Sequence, residues 1–320
     1  MTFDDKIIQL RGIIDQQLDF IDGINAAIFG LPLHGNTGDT LIALGQYSFL
    51  KAHHVNIISE RLLIDISSLP DLPKDCYILL QGGGDFGDVW RGIQDARMRI
   101  IQKYRTHHIV IFPQTVFYQN DQLLYQDLDI LSRCPNITMC VRDKRSFELM
   151  SSFLKDHVIL VPDMAFYLPD SRIEPYVMSE KDDNLFLIRR DCELKESKLF
   201  VSSHSSDWPT FETPPWYLKL SLRMVGISEA FRLRNINRIF RWIRVINIIY
   251  IKRIVYPLIL INGIRFLSSH KNLYLSRMHA CILAVLMRRK FTMIDNSYGK
   301  NSSFYYTWFS DLEGANLNSE

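Results

Sequence analysis

Apolar residues near the N-terminus recur every three or four positions, with Asp and Gln filling many of the positions between them. Over residues 4–24 this spacing predicts an amphipathic helix. A short apolar run follows at residues 27–31 and ends in a polar glycine loop, after which residues 40–52 again show helical spacing. The chain is therefore predicted to begin as helix, strand, loop and helix.

Further short apolar runs recur along the chain and predict strands. With helical stretches between several of them, these runs lie at residues 55–59, 77–80, 108–112, 137–141, 158–161 and 184–188. Strands that alternate with helices predict an α/β fold with a mainly parallel sheet, whose ligand loops follow the carboxyl ends of the strands. Clusters of glycine and polar residues follow the carboxyl ends of several predicted strands.

A polar stretch at residues 169–183 contains two prolines and predicts a linker. It divides the chain into an N-terminal Rossmann-like domain, residues 1–168, and a C-terminal one, residues 184–320. A chain of 320 residues is long enough for two such domains.

A different pattern occupies residues 231–256. Arg234, Arg238 and Arg241 follow one another at spacings of three and four, and Trp242 lies among them. The opposing apolar stripe consists of Ile236, Ile239, Phe240, Ile243, Ile246 and Tyr250. This is the pattern of a basic amphipathic helix that lies on a membrane surface.

We expect this helix to end or kink at Pro257 and not to cross the bilayer. The apolar run after the proline is too short, and Lys252 and Arg253 interrupt the longer apolar window. The alternative is a helix that packs its apolar stripe on the second domain and holds its arginines in water.

Charge is unevenly placed although the net charge is only +2. Residues 230–294 contain no Asp or Glu, whereas Lys and Arg recur throughout. This asymmetry predicts an anionic partner, either phosphate or a membrane surface. The five cysteines are odd in number and lack CxxC spacing, and the N-terminus is acidic where a signal peptide is basic. We therefore expect reduced thiols and a cytoplasmic protein.

Arg277 and His279 stand two residues apart, where a predicted short strand at residues 273–275 gives way to an apolar helix. A helix N-terminus offers free N–H groups and a positive dipole, which favour anions. Arg277 would add a fixed charge, and an imidazole can move a proton near neutral pH. The segment predicts phosphate binding and proton transfer at one place. The alternative is a buried helix start with satisfied side chains.

Two glycine-rich loops follow predicted strands, and glycine lets a ligand approach the backbone because it has no Cβ. They contribute the candidate substrate-binding residues Gly35, Asn36, Asp39, Gly83 and Gly84. The second loop lacks both Gly-Lys-Ser/Thr and GxGxxG spacing, so it is neither a Walker loop nor a dinucleotide fingerprint. Asp88 after this loop could orient or deprotonate a hydroxyl. Asp39 could instead cap the following helix.

Arg142 directly follows the predicted strand at residues 137–141. Its guanidinium could hold a phosphate or a carboxylate through two hydrogen bonds. The alternative is a structural ion pair with its neighbour Asp143. No spacing of His, Cys, Asp and Glu indicates a metal site.

These motifs, in this order, resemble the polysaccharide pyruvyl transferase family over about residues 30–300. The motifs are the two glycine loops, Val141-Arg142-Asp143 with the later Pro162-Asp163, Ser276-Arg277-Met278-His279-Ala280, and Ile294-Asp295-Asn296-Ser297-Tyr298-Gly299-Lys300. Ser276 and Met278 depart from the Asp and Leu that are usual in the family.

The resemblance implies a GT-B-like fold, in which the two domains face each other across a cleft. It implies transfer of pyruvate from phosphoenolpyruvate to a sugar of a bacterial capsule, exopolysaccharide or cell-wall precursor, as a cyclic ketal, with release of phosphate. Phosphoenolpyruvate would be the donor substrate, with no other cofactor and no nucleic-acid partner. His279 and Asp88 would be catalytic, and Arg277 and Arg142 would hold the donor.

A polyprenyl-linked acceptor would give the basic helix a use, at the inner face of the plasma membrane. One alternative is a GT-B glycosyltransferase that uses a nucleotide sugar, for which Asp295 is the nearby candidate for ribose binding. Another is a non-catalytic, membrane-docked subunit of a polysaccharide assembly complex.

Overall fold

The computed structural model describes residues 1–63, 69–194, 205–234 and 236–318. Its first sheet is parallel and has the strand order β2-β1-β3-β5-β6-β7, with β4 pairing beside β5. The strands are β1 (Asn25–Leu31), β2 (Asn56–Leu62), β3 (Tyr77–Leu80), β4 (Gly83–Gly87), β5 (Ile109–Phe117), β6 (Ile137–Val141) and β7 (Val158–Leu160).

The second sheet is also parallel, in the order β12-β11-β10-β8-β9. Its strands are β8 (Lys181–Leu187), β9 (Ser205–Ser206), β10 (His270–Leu275), β11 (Phe291–Ile294) and β12 (Ala315–Asn318). The α/β class with two parallel sheets, predicted from the sequence, is confirmed.

Helices connect the strands and cover the sheets. They are α1 (Phe3–Gln17), α2 (Thr37–Ala52), α3 (Arg91–Lys103), α4 (Asp121–Ser132), α5 (Lys144–Leu154), α6 (Pro209–Glu212), α7 (Trp216–Leu233), α8 (Asn237–Tyr250), α9 (Tyr256–Ser268), α10 (Met278–Leu286) and α11 (Lys300–Trp308). The α10 helix is apolar on every side and buried throughout, apart from its half-buried second residue, His279. The core therefore fixes the position of that histidine.

One continuous apolar core joins the two halves of the chain. It includes side chains from α1, β1 and α2 of the first half, and from α9, β10 and α10 of the second. The domain boundaries 1–168 and 184–320 stay predictions. The expected linker, residues 169–183, contains two short 3-10 turns and the first residues of β8.

The helix predicted over residues 231–256 is two helices in the structure, and Asn235 lies outside the described residues. The predicted faces of α8 are wrong in part. Arg244 and Phe240 point inward and are buried, whereas Trp242 and Ile246 are more than half exposed. The alternative considered from the sequence, in which the whole apolar stripe packs on the protein, is therefore not observed.

Of the two expected effects of Pro257, ending the helix is not observed. A π-helical turn, Ile251–Val255, leads from α8 into α9, and Pro257 lies in the first turn of α9. A proline lacks the N–H that would continue the hydrogen-bond ladder, which gives a reason for the irregular turn before it. By length and composition alone, the helical run Arg238–Ser268 could cross a membrane, although 39% of its most apolar window is buried in the protein.

Candidate active site

A cavity of about 300 Å³ lies where loops from both halves of the chain meet. Its wall contains the loops after β1, β3 and β8 and the first residues of α10 and α11. The ionisable residues that line it are His34, Asp39, Asp85, Arg189, Asp191, Glu193, Arg277, His279 and Lys300. The volume suits a small ligand, and the lining offers both charge and a proton carrier.

His279 is held against the buried pair of Arg142 and Asp163. The Nε2 atom of His279 lies 3.2 Å from Oδ2 of Asp163 and 3.2 Å from Nη1 of Arg142. When Nε2 carries a proton it donates to Asp163, and when it does not it accepts from Arg142. Asp163 thus orients the ring and can stabilise its charged form, as a carboxylate does beside a catalytic histidine.

Asp163 remains ionised in this position. Its burial acts to raise the pKa of the carboxyl group, but the charges of His279 and Arg142, together with hydrogen bonds from His279 and the Ala165 N–H, outweigh that effect. The pKa of Asp163 therefore lies well below its ordinary value.

Arg142 lies behind the cavity and has no exposed surface. It pairs with Asp163 through Nη1 and donates from Nε to Oγ1 of Thr115 at 3.0 Å. Asp143, the partner considered from the sequence, instead caps α5 by accepting from the Ser146 N–H at 2.9 Å. The structural ion pair that was the alternative therefore exists, but with Asp163, and direct donor binding by Arg142 is not supported by its position.

Arg277 does reach the cavity wall, as predicted, but it is already paired. Its Nε donates to Oδ1 of Asp207 at 2.8 Å, Nη2 contacts the other oxygen of that carboxylate, and Nη1 lies 3.1 Å from Asp191. Its guanidinium carbon is 5.2 Å from the centre of the Phe211 ring. These contacts hold the guanidinium rigidly and neutralise part of its charge.

Lys300, at the start of α11, is the cation that sequence reasoning did not single out. Its Nζ lies 3.1 Å from the Gly84 carbonyl oxygen and 3.3 Å from Oε2 of Glu193. Burial lowers the pKa of Lys300, and the charges of Arg142 and Arg189 act in the same direction. An anionic ligand in the cavity would stabilise the charged amine and so oppose this lowering of its pKa.

Glu193 holds several side chains in place on the side of the cavity that contains Lys300. Its Oε2 accepts from Arg189 at 2.7 Å and from the Tyr298 hydroxyl at 2.7 Å, and Oε1 accepts from the Trp90 indole at 3.2 Å. Burial acts to raise the pKa of Glu193, but Lys300 and Arg189 outweigh it and hold the pKa well below its usual range.

Two glycines of the predicted loops allow the halves of the chain to touch at the site. A Cβ built on Gly38 would lie 2.7 Å from Nδ1 and 2.8 Å from Cβ of His279. A Cβ on Gly84 would lie 2.1 Å from Nζ of Lys300 and 2.6 Å from Nη2 of Arg142. The glycines therefore admit protein side chains as well as any ligand.

We expect Gly38→Ala to lower turnover strongly while the protein stays folded, because the new methyl group must displace His279. Steady-state kinetics with a thermal unfolding scan checks this. Gly12→Ala is the matched control, since a Cβ at Gly12 in α1 meets no atom within 4 Å. The control should keep full activity and gain about 0.5–1 kcal/mol of stability. Equal activity of both variants would show that Gly38 does not position His279.

The other predicted residues of the glycine loops differ in placement. Asn36 and Asp39 line the cavity, and Asn36 donates to Asp39 at 2.8 Å. The cap of α2 is Asn36, which accepts from the Gly38 N–H, and not Asp39. Gly35 lies against α6, because Thr210 Oγ1 donates to its carbonyl oxygen at 2.7 Å, and Gly83 pairs with β5 in the sheet.

Asp88 lies outside the cavity wall. Its carboxylate accepts from the backbone N–H groups of Gln119 and Asn120, at 2.9 and 2.7 Å, and so holds the loop between β5 and α4. This position does not support the predicted catalytic role. The carboxylates of the cavity wall are those of Asp39, Asp85, Asp191 and Glu193. Asp85 is paired with Arg97 at 2.7 Å, and Asp191 and Glu193 are paired with Arg189.

The profile of polysaccharide pyruvyl transferases matches residues 36–298, which is most of the chain and includes His279, the second glycine loop and the first loop from Asn36 onward. The chain belongs to the polysaccharide pyruvyl transferase family. The resemblance found from the motifs is therefore confirmed.

Individual relatives agree with the family match. The chain is 31% identical over 317 residues to "Putative pyruvyl transferase EpsO" of Bacillus subtilis, covering 98% of this chain and 94% of that protein. It is 26% identical over 309 residues to "Pyruvyl transferase 1" of Schizosaccharomyces pombe, covering 91% of this chain and 70% of the relative. This pyruvyl transferase family member is therefore a transferase of polysaccharide biosynthesis, which implies a sugar acceptor.

A solved structure shows the same fold. A functionally uncharacterized protein of Klebsiella pneumoniae superposes with a TM-score of 0.63 at 17% identity, over 97% of this chain and 99% of that one. This likeness concerns the fold alone. The arrangement of the two halves of the pyruvyl transferase across a cleft stays a prediction.

Sequence reasoning assigned no role to four charged residues of this family member that shape the site: Asp163, Glu193, Asp207 and Lys300. Asp163 could have been suspected, because it follows the end of β7 as a lone polar residue after an apolar run. Lys300 is the last residue of the motif at residues 294–300. Glu193 and Asp207 act through contacts distant in sequence, so no local signal points to them.

Proposed function

We propose that this family member transfers pyruvate from phosphoenolpyruvate to a sugar as a cyclic ketal and releases phosphate. The observation that carries the proposal is the His279–Asp163 pair at a cavity that also presents Arg277 and Lys300. Phosphoenolpyruvate carries a phosphate and a carboxylate, which require cations. Its enol carbon must gain a proton, which requires an acid that works near neutral pH.

The reaction needs two carbon–oxygen bonds at the central carbon of the donor. In the first step a sugar hydroxyl adds to that carbon and loses its proton, while the terminal CH2 carbon accepts a proton and becomes methyl. In the second step another hydroxyl of the sugar forms the second bond as the bond to phosphate breaks. The proton of this hydroxyl leaves with the phosphate, so atoms and charge balance.

His279 is assigned the proton transfers. Its Nε2 faces Asp163, whereas its Nδ1 lies against Gly38 and makes no hydrogen bond within the described part of the chain. Nδ1 is then the atom that exchanges a proton with the donor. Lys300 and Arg277 would stabilise the charge that develops on the leaving phosphate. Asp39, in the cavity wall, takes over from Asp88 as the candidate that orients the acceptor hydroxyl.

The acceptor is proposed to be a sugar of a bacterial capsule, exopolysaccharide or cell-wall precursor on a polyprenyl lipid. Phe211 of α6 lines the cavity, and α6 leads directly into α7 and α8, whose outer surface is basic and apolar. A contact between this surface and an anionic membrane would bring the cavity close to lipid-linked sugar. The protein would then work in the cytoplasm, peripherally bound to the inner face of the plasma membrane.

A nucleotide-sugar glycosyltransferase is the competing function, and Asp295 was its candidate for ribose binding. In the structure the Asp295 carboxylate accepts from the N–H groups of Asn296 and Ser302 and so stabilises the first turn of α11. It does not line the cavity. The geometry therefore favours the pyruvyl donor.

Ligand-dependent thermal shift separates the proposals. The purified protein is scanned with phosphoenolpyruvate and, separately, with nucleotide sugars. A ligand at 100 times its dissociation constant stabilises the native state by about 2.7 kcal/mol. Stabilisation by phosphoenolpyruvate alone supports the pyruvyl transfer. Stabilisation by a nucleotide sugar alone supports a glycosyltransferase, and response to neither donor supports a non-catalytic subunit.

Lys300→Met is expected to weaken phosphoenolpyruvate binding about 10- to 100-fold, because a charge-assisted hydrogen bond contributes about 1.5–3 kcal/mol. Isothermal titration calorimetry of the folded variant measures this. Lys271→Met is the matched control, since Lys271 is an exposed lysine that pairs with Asp182 on the surface. Donor affinity equal to wild type in the Lys300 variant would remove Lys300 from the donor site.

A further inference from the structure

The hairpin of α7 and α8 presents an unusually apolar outer surface. Its exposed side chains include the two tryptophans Trp216 and Trp242, 69% and 61% exposed. On α8 the other outward apolar residues are Ile239, Val245, Ile246 and Ile249. A helix of a water-facing surface places such residues inward.

The inner side of the same hairpin buries polar side chains among apolar ones. Ser221 of α7 and Asn247 of α8 are both buried, and the Ser221 hydroxyl donates to Oδ1 of Asn247 at 2.8 Å. The Asn247 amide donates in turn to the Ser221 carbonyl oxygen at 3.2 Å. Arg244 is buried beside them, 5.1 Å from the centre of the Phe240 ring. The hairpin therefore buries polar groups on its inner side while several of its large apolar side chains stay exposed, which suits an apolar surrounding.

The exposed charges of the hairpin are basic. Lys219, Arg223, Arg234, Arg238 and Arg241 are exposed, whereas the single acid of α7 and α8, Glu229, is half-buried and paired with Arg232. Basic side chains around an apolar surface complement anionic lipid head groups. In a symmetric dimer through this face, the same cations would oppose one another. The charge therefore favours a membrane over a second copy of the chain.

The helix that follows the hairpin, α9, is packed in the core and fixes the hairpin to the rest of the protein. In α9, Ile259, Ile264 and Leu267 are fully buried, and the Tyr256 hydroxyl donates to the Pro32 carbonyl oxygen at 2.8 Å. A Cβ on Gly263 would lie 2.4 Å from Cγ2 of Thr37. The run Arg238–Ser268 therefore cannot cross a bilayer without losing this core, and only the part before α9 is available to lipid.

We propose that the α7–α8 hairpin inserts its apolar outer face among the acyl chains of one leaflet, with its arginines at anionic head groups. This goes beyond adsorption by charge. The proposal rests on the proposed function, because a lipid-linked acceptor gives the insertion its use, but it is measured without any reaction. Since α9 contacts Pro32 and Thr37 beside the cavity, insertion would also orient the cavity towards the membrane.

The test uses the full-length protein and vesicles of phosphatidylcholine with phosphatidylglycerol. Acyl-chain-brominated lipids should quench the fluorescence of the wild type, and the quenching should fall in Trp242→Phe. A variant with Trp242, Ile246 and Ile249 all changed to Ser should partition about 100-fold more weakly or worse, because each loses the burial of a large apolar side chain. Its thermal midpoint should not fall, since all three side chains are exposed.

Two further variants complete the experiment. Ile8→Ser, which changes an exposed isoleucine of α1, is the matched control and should partition as the wild type does. Arg234, Arg238 and Arg241 changed together to Ser should weaken binding in low salt, at about 1 kcal/mol per charge, or roughly fivefold each. High salt should weaken the wild type less than it would a purely electrostatic adsorbate.

Either of two results would overturn the proposal. The first is that brominated lipids do not quench the fluorescence of Trp242 and that salt abolishes all binding to vesicles. This result would mean that the protein adsorbs by charge alone. The other is a dimer in analytical ultracentrifugation that the triple Ser change at Trp242, Ile246 and Ile249 dissociates, which means that a second copy covers the face. The pyruvyl transfer to a soluble sugar would be unaffected by both results, so its failure is recognised separately.

Discussion

His279→Ala should abolish most turnover and leave donor binding in place. A positioned acid/base contributes roughly 10²–10⁴-fold to a rate, and His279, whose ring contacts Asp163, is the proton carrier that we propose for the cavity. Removing it does not touch Lys300 or Arg277, so phosphoenolpyruvate should still bind. Steady-state rates of phosphate release, together with calorimetric titration of the donor, measure both effects.

Chemical rescue sharpens this prediction. Added imidazole should restore part of the lost rate in His279→Ala, and the acid/base limb of the wild-type pH profile should be missing from its residual activity. The control is His108→Ala, because His108 is exposed and stacks on Tyr77 away from the cavity. Wild-type turnover in His279→Ala would leave the fold intact but remove the mechanism.

Asp163→Asn should lower the free energy of unfolding by about 3–5 kcal/mol, because Arg142 would be left as a buried charge without its ion-pair partner. Both side chains have at most 1% of their surface exposed. Activity should fall as well, since the amide cannot stabilise a charged imidazole. Urea unfolding curves give the stability, and Asp129→Asn, which breaks an exposed pair with Arg133, should show no measurable loss.

The pH dependence of this effect has a definite sign. The pKa of Asp163 is lowered in the folded protein, so the unfolded chain binds the proton first as the pH falls. The stability that Asp163 contributes is fully present above its unfolded pKa and is lost as the pH falls through the folded value. The gap between wild type and Asp163→Asn should persist through neutral and mildly acidic pH. A gap that closes near neutral pH would contradict the assignment.

Many of the strands and helices could be predicted, in their order along the chain, from the periodicity of apolar residues. Buried parallel strands are continuous apolar runs, and those at residues 77–80 and 137–141 coincide with β3 and β6. β4 was missed because glycines carry no strand signal and its pairing with β5 is tertiary. The predicted placement of the α8 faces was partly wrong. The spacing of residues marks two faces of a helix, but it does not show which face packs on the protein and which face is exposed.

The site was predicted in outline. His279, Arg277 and the glycine loops converge, since each follows a strand end or opens a helix. What failed is the assignment of charges to partners. Arg142 and Arg277 were predicted to hold the donor, with structural pairing as the alternative, and Asp163 and Asp207 pair with them from 21 and 70 positions away in the chain. Such pairings depend on the packed fold, and no local pattern encodes them.

The most direct test of pyruvyl transfer follows the donor carbon. The protein is incubated with isotope-labelled phosphoenolpyruvate and a panel of nitrophenyl hexosides and polyprenyl-linked saccharides, and the products are analysed by mass spectrometry with a phosphate assay. We predict that label enters an acceptor as an acid-labile ketal, that phosphate appears in equal amount, and that His279→Ala gives neither product. Transfer of a sugar from a nucleotide sugar, with no label from phosphoenolpyruvate in any acceptor, would contradict the account.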